Sequence, residues 1–401
     1  MMTHTGWKHQ PGIFDLLKQR VESDKNWDVR REAVRQIATG WRHQPGIFDL
    51  LKQRLVSDDD WYVRVEALRQ IATGWKYQPI IFDLLKQRVE SDDDPNVRRE
   101  AARQIAAGWK HQRGIFDLLK QRVESDENWD VRCEAVRQIV TVWKQEPGIF
   151  DLLKQWVKFC DYMDVRGEAL RQIATGWKHQ PEIFDLLKQT LESDHSSGVR
   201  REALRQIATG WKHQPEIFDL LKQRVVSDHS SGVRREALGQ IATGWKHQPG
   251  IFDLLKQRLE SDHSSGVRRE ALRQIATGWK HQPETFDLLK QRLESDHSSS
   301  VRGEALRQIA IGWKYQPETF ELFYHTALND PFQDEGHWKD NPRQIALGTI
   351  VKQYPDYPQT ILLLQDRVAN DPDEQLRDWT KKKLQRLENN LCENIQMKSK
   401  L

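Results

Sequence analysis

Cysteine is nearly missing from this chain. Its three copies among 401 residues, Cys133, Cys160 and Cys392, lie far apart and match neither a disulfide framework nor a metal-ligand spacing. That scarcity points to a reducing compartment. Long apolar runs are missing too: hydrophobic residues make up 37% of the chain, and no stretch is long enough to span a bilayer. The opening Met1-Met2-Thr3-His4-Thr5-Gly6 carries no basic-plus-apolar leader. These absences predict a soluble, cytoplasmic protein with no membrane contact. Charge of one sign is also missing. Charged residues reach 30%, yet the net charge is only +3, which speaks against a dedicated nucleic-acid binder. No Gly-Lys pair occurs, so there is no phosphate loop, and H-E-x-x-H, C-x-x-C and G-x-S-x-G are absent as well. No catalytic residue, cofactor or metal is expected.

What the chain has is repetition. The stretch WKHQPGIFDLLKQRVESDKNWDVRREAVRQIATG from Trp7 to Gly40 returns with a 34-residue period, its Trp recurring at 41, 75, 109, 143, 177, 211, 245, 279 and 313. Such a period marks a solenoid, a propeller or an array. In the first copy Ile13, Phe14, Leu16, Leu17 and Val21 share one helical face, with Pro11 suited to the first helical position. Asp28 is an N-cap candidate for a second helix from Val29, whose apolar face is Val29, Ala33, Val34, Ile37 and Ala38. Gly40 marks its stop. Nothing alternates with period two, which excludes a propeller blade. Each copy is a helical hairpin that must bury its apolar face against its neighbours.

One charge falls inside the apolar arc. Helical stepping places Arg30 between Ile37 and Trp41, and a buried guanidinium needs partners. The expected partner is Asp24, six residues earlier in the link. The Arg recurs at Arg64, Arg98, Arg132, Arg166, Arg200, Arg234, Arg268 and Arg302, and the Asp at Asp58, Asp92, Asp126, Asp194, Asp228, Asp262 and Asp296. Asp371 and Arg377 keep the same separation. The pattern predicts a structural Asp–Arg ladder along the spine.

A helix, an Asp-containing link and Val-Arg-x-x-Ala opening a second helix resemble the HEAT repeat in a short form, over nearly the whole chain. The Trp-Lys-x-Gln-Pro corner is similar to something narrower, and so is the closing segment from Asp340-Asn341-Pro342-Arg343 to Lys352-Gln353-Tyr354-Pro355. Both are similar to the C-terminal HEAT arrays of bacterial, mostly cyanobacterial, NACHT-type NTPases. That resemblance implies a sensing or partner-binding array whose NTPase is supplied elsewhere.

The copies are not uniform. Residues 1–312 hold nine near-identical repeats, 313–387 two degenerate capping repeats, and 388–401 a tail expected to fray. Links in the first four repeats are mixed, such as Lys25-Asn26-Trp27-Asp28; those of repeats six to nine are nearly all His-Ser-Ser-Gly. Repeat five, 143–176, departs most. Trp156 stands where the other copies mostly have Arg, and Phe159-Cys160 where they have Ser-Asp. Arg166 should therefore have lost its Asp, with Asp161 as the substitute. Trp156 and Phe159 are either a local repacking or an exposed patch for a partner or for self-association. The last hairpin is expected at Pro358–Ala369 and Glu374–Leu387. Trp7 already stands in mid-pattern, so the chain reads as the end of a longer array or as one that docks end to end.

Two polar sets remain. His9, His43, His111, His179, His213, His247 and His281 form one column, and His195, His229, His263 and His297 another. Equivalent residues on stacked hairpins stand about 10 Å apart, too far to share an ion, so both are read as link and corner polarity. The second helices expose a strip of Arg35, Arg69, Arg103, Arg137, Arg171, Arg205, Arg273 and Arg307, interrupted at Gly239, with Glu32 to Glu304 interleaved. Arg31, Arg99, Arg201, Arg235 and Arg269 lie beside it. The strip is either a self-neutralising mesh, or a groove for an acidic peptide or protein segment, or a phosphate-backbone site, which the interleaved glutamates disfavour.

The expected fold is all-α: a right-handed α-solenoid, a superhelix of about eleven HEAT-like hairpins. The expected function is a non-catalytic scaffold for a protein or peptide partner, the sensor part of a NACHT-type signalling or defence system. Its alternatives are a nucleic-acid-binding HEAT-like protein and a pigment-lyase-like one, for which repeat five is the only candidate insertion.

Overall fold

The structure is a computed structural model that describes residues 12–333 and 341–398, with side chains described as far as Asn389. The expectations for Trp7, His9, Pro11, the N-terminal leader and link residues 334–340 lie outside the described residues. Twenty-two helices run from α1 (Ile13–Ser23) to α22 (Glu374–Lys398), pairing into eleven hairpins, and no strand occurs among the described residues. The fold is an all-α solenoid. It divides into two compact units, Met1–Gln206 and Ile207–Leu401. The cut falls inside α12 (Ser197–Gly210) and not near 312, where the sequence pattern decays.

Each hairpin is built the same way. In α1, α3 (Ile47–Ser57) and α7 (Ile115–Ser125) the helix begins at Ile, after a Gly held at φ 79–87° in the copies that have one there. That left-handed backbone is one only Gly adopts at little cost. Three of the copies with Glu in place of this Gly start earlier, as at Pro215 in α13 (Pro215–Ser227), where Pro sits at N1. The second helix begins two residues before the sequence expectation. Asn26, not Asp28, is the N-cap of α2 (Trp27–Gly40): its side chain accepts from the Asp28 N–H at 2.9 Å. Asp60 caps α4 (Trp61–Gly74), Asp94 caps α6 (Pro95–Trp109) and Asn128 caps α8 (Trp129–Trp143) alike. This shift puts a large residue, Trp27, Trp61 or Trp129, at the first helical position.

The core follows from these starts. Val63, Ala67, Leu68 and Ile71 of α4 are fully buried with Leu51 and Leu55 of α3. Burying one such side chain contributes about 1.5–3 kcal/mol. In the first unit α2, α4, α6, α8 and α10 (Met163–Gly176) pack side by side in sequence; in the second, α14 (Ser231–Gly244), α16 (Ser265–Gly278) and α18 (Ser299–Gly312) do the same. The repeated Trp closes the corner against the first-helix Phe, with ring centroids 5.8 Å apart for Phe48–Trp75 and 5.9 Å for Phe252–Trp279. In α4 the Gly before that Trp, Gly74, is the last residue of the helix and has no left-handed backbone. Its reason is room: a Cβ on Gly74 would meet the Arg42 stem of the preceding corner at 3.0 Å.

The closing repeats keep the plan. Asn341 caps α20 (Pro342–Gln353) and accepts from the N–H groups of Arg343 and Gln344. α21 spans Pro358–Asn370. The last helix does not end at Leu387 but continues to Lys398. No helix among the described residues is long and apolar enough to cross a membrane.

Candidate functional site

Three rows of charge run along the repeats, and their geometry decides which of them is free to bind. The first is the spine. Arg98 donates one guanidinium nitrogen to the backbone carbonyl of Asp92, six residues earlier, at 2.8 Å. Its other two meet the carboxylate of Asp126, in the next repeat, at 3.0 and 2.9 Å. The expected partner within the repeat is therefore corrected: the near Asp offers its carbonyl, and the carboxylate comes from the repeat ahead. Asp126 also accepts from the Asn128 N–H, so each rung ties two links together.

The same rung joins Arg30 to Asp58, Arg166 to Asp194, Arg234 to Asp262, Arg268 to Asp296 and Arg302 to Asp330. Arg64 spreads over Asp92 and Asp93. Asp24 is met instead by Arg20. Arg200 donates to the Asp194 carbonyl, Arg234 to that of Asp228 and Arg377 to that of Asp371, whose carboxylate faces Arg343 at 3.3 Å. Burial alone would raise the carboxyls of Asp262 and Asp296. The guanidiniums of Arg234 and Arg268 outweigh it, and both lie below the usual aspartate range.

Repeat five now reads differently. Because the carboxylate comes from ahead, replacing Asp by Cys160 affects Arg132, not Arg166. Arg132 turns to Asp164 at 2.8 Å and lies 4.0 Å over the Tyr162 ring. Arg166 keeps Asp194 and takes the carbonyls of Cys160 and Asp161. In ordinary repeats a first-helix Arg also approaches the link Asp, as Arg88 does Asp92 at 3.3 Å. Trp156 fills that position, so the cation and the anion disappear together and neither is stranded. Trp156 is buried, which removes it from the surface patch; Phe159 is 78% exposed. A groove of about 740 Å³ runs beside Phe159, Cys160 and Thr190. Burial pushes the Cys160 thiol up, and the thiol of buried Cys133 up to about 12.

The second row is the second-helix strip. In the first unit Arg69, Arg103, Arg137 and Arg171 each reach a glutamate of the next repeat: Glu100, Glu134, Glu168 and Glu202, at 2.9–3.1 Å. Arg103, Arg137, Arg171 and Arg205 also meet the glutamate of their own helix. The carboxylates are buried and the arginine side chains 40–47% exposed. Burial works to raise Glu100, Glu134 and Glu202, but the paired arginines win and hold all three below the usual glutamate range. Among the described residues Arg35 bonds Glu32 of its own helix alone. In the second unit Gly239 supplies no guanidinium to Glu270, which is met by Arg273 from its own helix. Arg307 reaches Glu304 at 3.7 Å.

The flanking arginines are less uniform. Arg31 bonds Asp28 and lies over the Trp27 ring, and Arg99 bonds Asn96. Arg201 and Arg269 are half-buried, and Arg235 is exposed. Described members of both histidine columns, such as His43, His111, His229 and His263, are exposed. No group of three or more metal-ligating side chains occurs among the described residues.

The third row, the link edge, was not singled out from sequence as a site. The signal was there, in the Trp27, Trp61 and Trp129 spacing and in the acids around it.

A family profile described as HEAT repeats matches residues 14–78, 82–174 and 218–312. No curated protein sequence matches the chain. Among solved structures it is similar to the YibA protein of E. coli, at 18% identity over 66% of this chain and 95% of that one, with a TM-score of 0.38. Yeast importin-β, Kap95p, is similar at 13% identity over 94% of this chain and 57% of that one, TM-score 0.42. The CpcE–CpcF complex of phycocyanin lyase from Nostoc sp. is similar at 18% identity, over 60% and 92%, TM-score 0.28. The profile covers more than half of the sequence, in segments that coincide with the stacked hairpins, and on that ground the chain belongs to the HEAT-repeat family.

Proposed function

We propose that the chain is a non-catalytic scaffold that holds a protein or peptide partner along the second-helix strip of its first unit. One observation carries this reading. Arg69, Arg103, Arg137 and Arg171 stand half-exposed in a row, each locked in register by a carboxylate buried beneath it. Guanidiniums fixed in this way lose little freedom on binding, and their planar fork suits carboxylates. The partner class is therefore an acidic segment. The glutamates below keep the strip near neutrality, which disfavours a nucleic-acid backbone.

A cytoplasmic setting in a NACHT-type signalling system, with this array as its sensing arm, is the wider reading. It rests on the Trp-Lys-x-Gln-Pro corners and the closing segment. The test is affinity purification from the native host with the wild-type chain and with Arg103→Gln/Arg137→Gln/Arg171→Gln, checked for an unchanged fold by circular dichroism. Loss of a specific acidic partner from the variant is expected. An identical partner set from both would overturn the strip as the binding face. A gel shift whose affinity falls steeply with salt would move the reading to nucleic acid.

A further inference from the structure

The link edge of the first unit carries a second surface that the strip does not explain. The second helices there lie side by side, so their N-terminal ends form a row. Trp27 stacks on Tyr62 of the next repeat, ring centroids 4.6 Å apart, and Trp61 stacks on Tyr62 at 3.6 Å. Trp129 is 57% exposed. Between these rings stand exposed acids, two of which also lie beside spine arginines: Asp93 by Arg64 at 2.8 Å and Glu127 by Arg98 at 3.7 Å. Asp93 and Glu127 have side chains 88% exposed, and Asp28, Asp59 and Asp161 are also exposed. Lys25 is the only Lys or Arg among link residues 25–28, 59–62, 93–96, 127–130 and 161–164. The second unit offers a contrast at the same places: His229-Ser230-Ser231-Gly232 and His263-Ser264-Ser265-Gly266 carry neither ring stacks nor acids.

The edge already shows what it accepts. The Arg31 guanidinium lies 5.4 Å from the Trp27 centroid and 6.0 Å from that of Tyr62, while bonded to Asp28 at 2.7 Å. Arg132 lies over Tyr162 and bonds Asp164. In both cases an aromatic face and a carboxylate share one guanidinium, the pairing expected of a cation–π site. Acids of this density repel phosphates and carboxylates alike, so charge complementarity selects a cationic occupant.

We propose that the link edge of the first unit, from Asp59 and Trp61 to Glu127 and Trp129, binds an extended arginine- or lysine-bearing peptide segment. Successive rungs stand about 10 Å apart, and an extended chain rises about 3.3 Å per residue. Every third residue therefore meets a rung, and the segment needs its cations at that spacing. The surface is separate from the second-helix strip and of opposite preference, so failure of either leaves the other standing.

The experiment is fluorescence anisotropy of the full chain with two labelled peptides of the same composition and charge. In the spaced peptide the unit Arg-Gly-Ser is repeated four times. In the block peptide the same four arginines are consecutive and the glycines and serines follow them. The spaced peptide is expected to bind at least five-fold more tightly. Asp59→Lys/Glu127→Lys is expected to weaken it at least ten-fold. Asp49→Lys/Asp117→Lys, the same charge change on exposed first-helix positions, is expected to change it less than two-fold. Trp129→Ser leaves the charge alone and is expected to cost three-fold or more. Equal affinity for both peptides, equal loss from both double variants, or binding of a single-stranded oligonucleotide in place of the peptides would each overturn the proposal.

Discussion

The two units of the chain share a spine and differ on their faces. Arg98–Asp126 in the first and Arg268–Asp296 in the second have the same partners, the same separation of 28 residues and nearly the same distances, 2.9 and 2.7 Å. The second-helix strips differ. From Arg69 to Arg171 the first is a zipper in which each arginine bridges to the next repeat; the second is interrupted at Gly239, and Arg273 folds back on its own helix. The link edges differ again, aromatic and acidic through the first five repeats, mostly His-Ser-Ser-Gly from repeat six to repeat nine. A feature kept in both units is what stacking a hairpin requires. A feature present in only one is free to serve something else, which is why both proposed surfaces lie in the first unit.

That contrast can be broken or sharpened by substitution. The largest effect is expected at the spine. Asp126→Ala strands the buried Arg98 guanidinium and Asp296→Ala the part-buried one of Arg268, at a cost of up to about 3–5 kcal/mol, and urea unfolding should show a loss from either unit. The strip should separate the units. Arg137→Ala uncovers buried Glu168 and should cost about 1–3 kcal/mol, whereas Arg273→Ala removes a pair within one helix and should cost about 0.5 kcal/mol or less. Equal losses would mean that the bridging adds nothing. Restoring the missing rung is the converse test. Gly239→Arg should stabilise the chain by about 1 kcal/mol from helix propensity alone, and a Cβ there meets only the Glu270 carboxylate oxygen, at 3.4 Å. Thermal unfolding would register it as a raised midpoint.

The smallest effect is that of pH. Glu100, Glu134 and Glu202 have carboxyls held below their ordinary value in the folded chain. Their contribution is complete above the unfolded glutamate pKa of about 4.3. It is lost as pH falls through the lower folded value. Stability measured by urea unfolding should therefore be flat from neutrality to about pH 5 and decline below about pH 4.

Much of this was legible beforehand. A strict 34-residue period with helical spacing leaves little choice but stacked hairpins, and Asn341-Pro342 announced a helix start that the structure has. What the sequence obscured were relations between copies. Arg98 stands six residues after Asp92 and 28 before Asp126, and a periodic chain offers both partners equally. Only the stacking geometry selects the second. The same ambiguity misplaced the damage at Cys160, which falls on Arg132 behind it. Trp156 could be read either way because its burial depends on the neighbouring hairpins. Asp28 looked like a cap because a good capping residue two places earlier, Asn26, competes with it.

A pair of double-mutant cycles measures the central claim, that each spine arginine draws its carboxylate from the repeat ahead. One cycle combines Arg98→Ala with Asp126→Ala and the other combines Arg98→Ala with Asp92→Ala, all read by urea unfolding. A coupling of about 2 kcal/mol or more between Arg98 and Asp126, with about 0.5 kcal/mol or less between Arg98 and Asp92, is the predicted result. Strong coupling to Asp92 and none to Asp126 would contradict it.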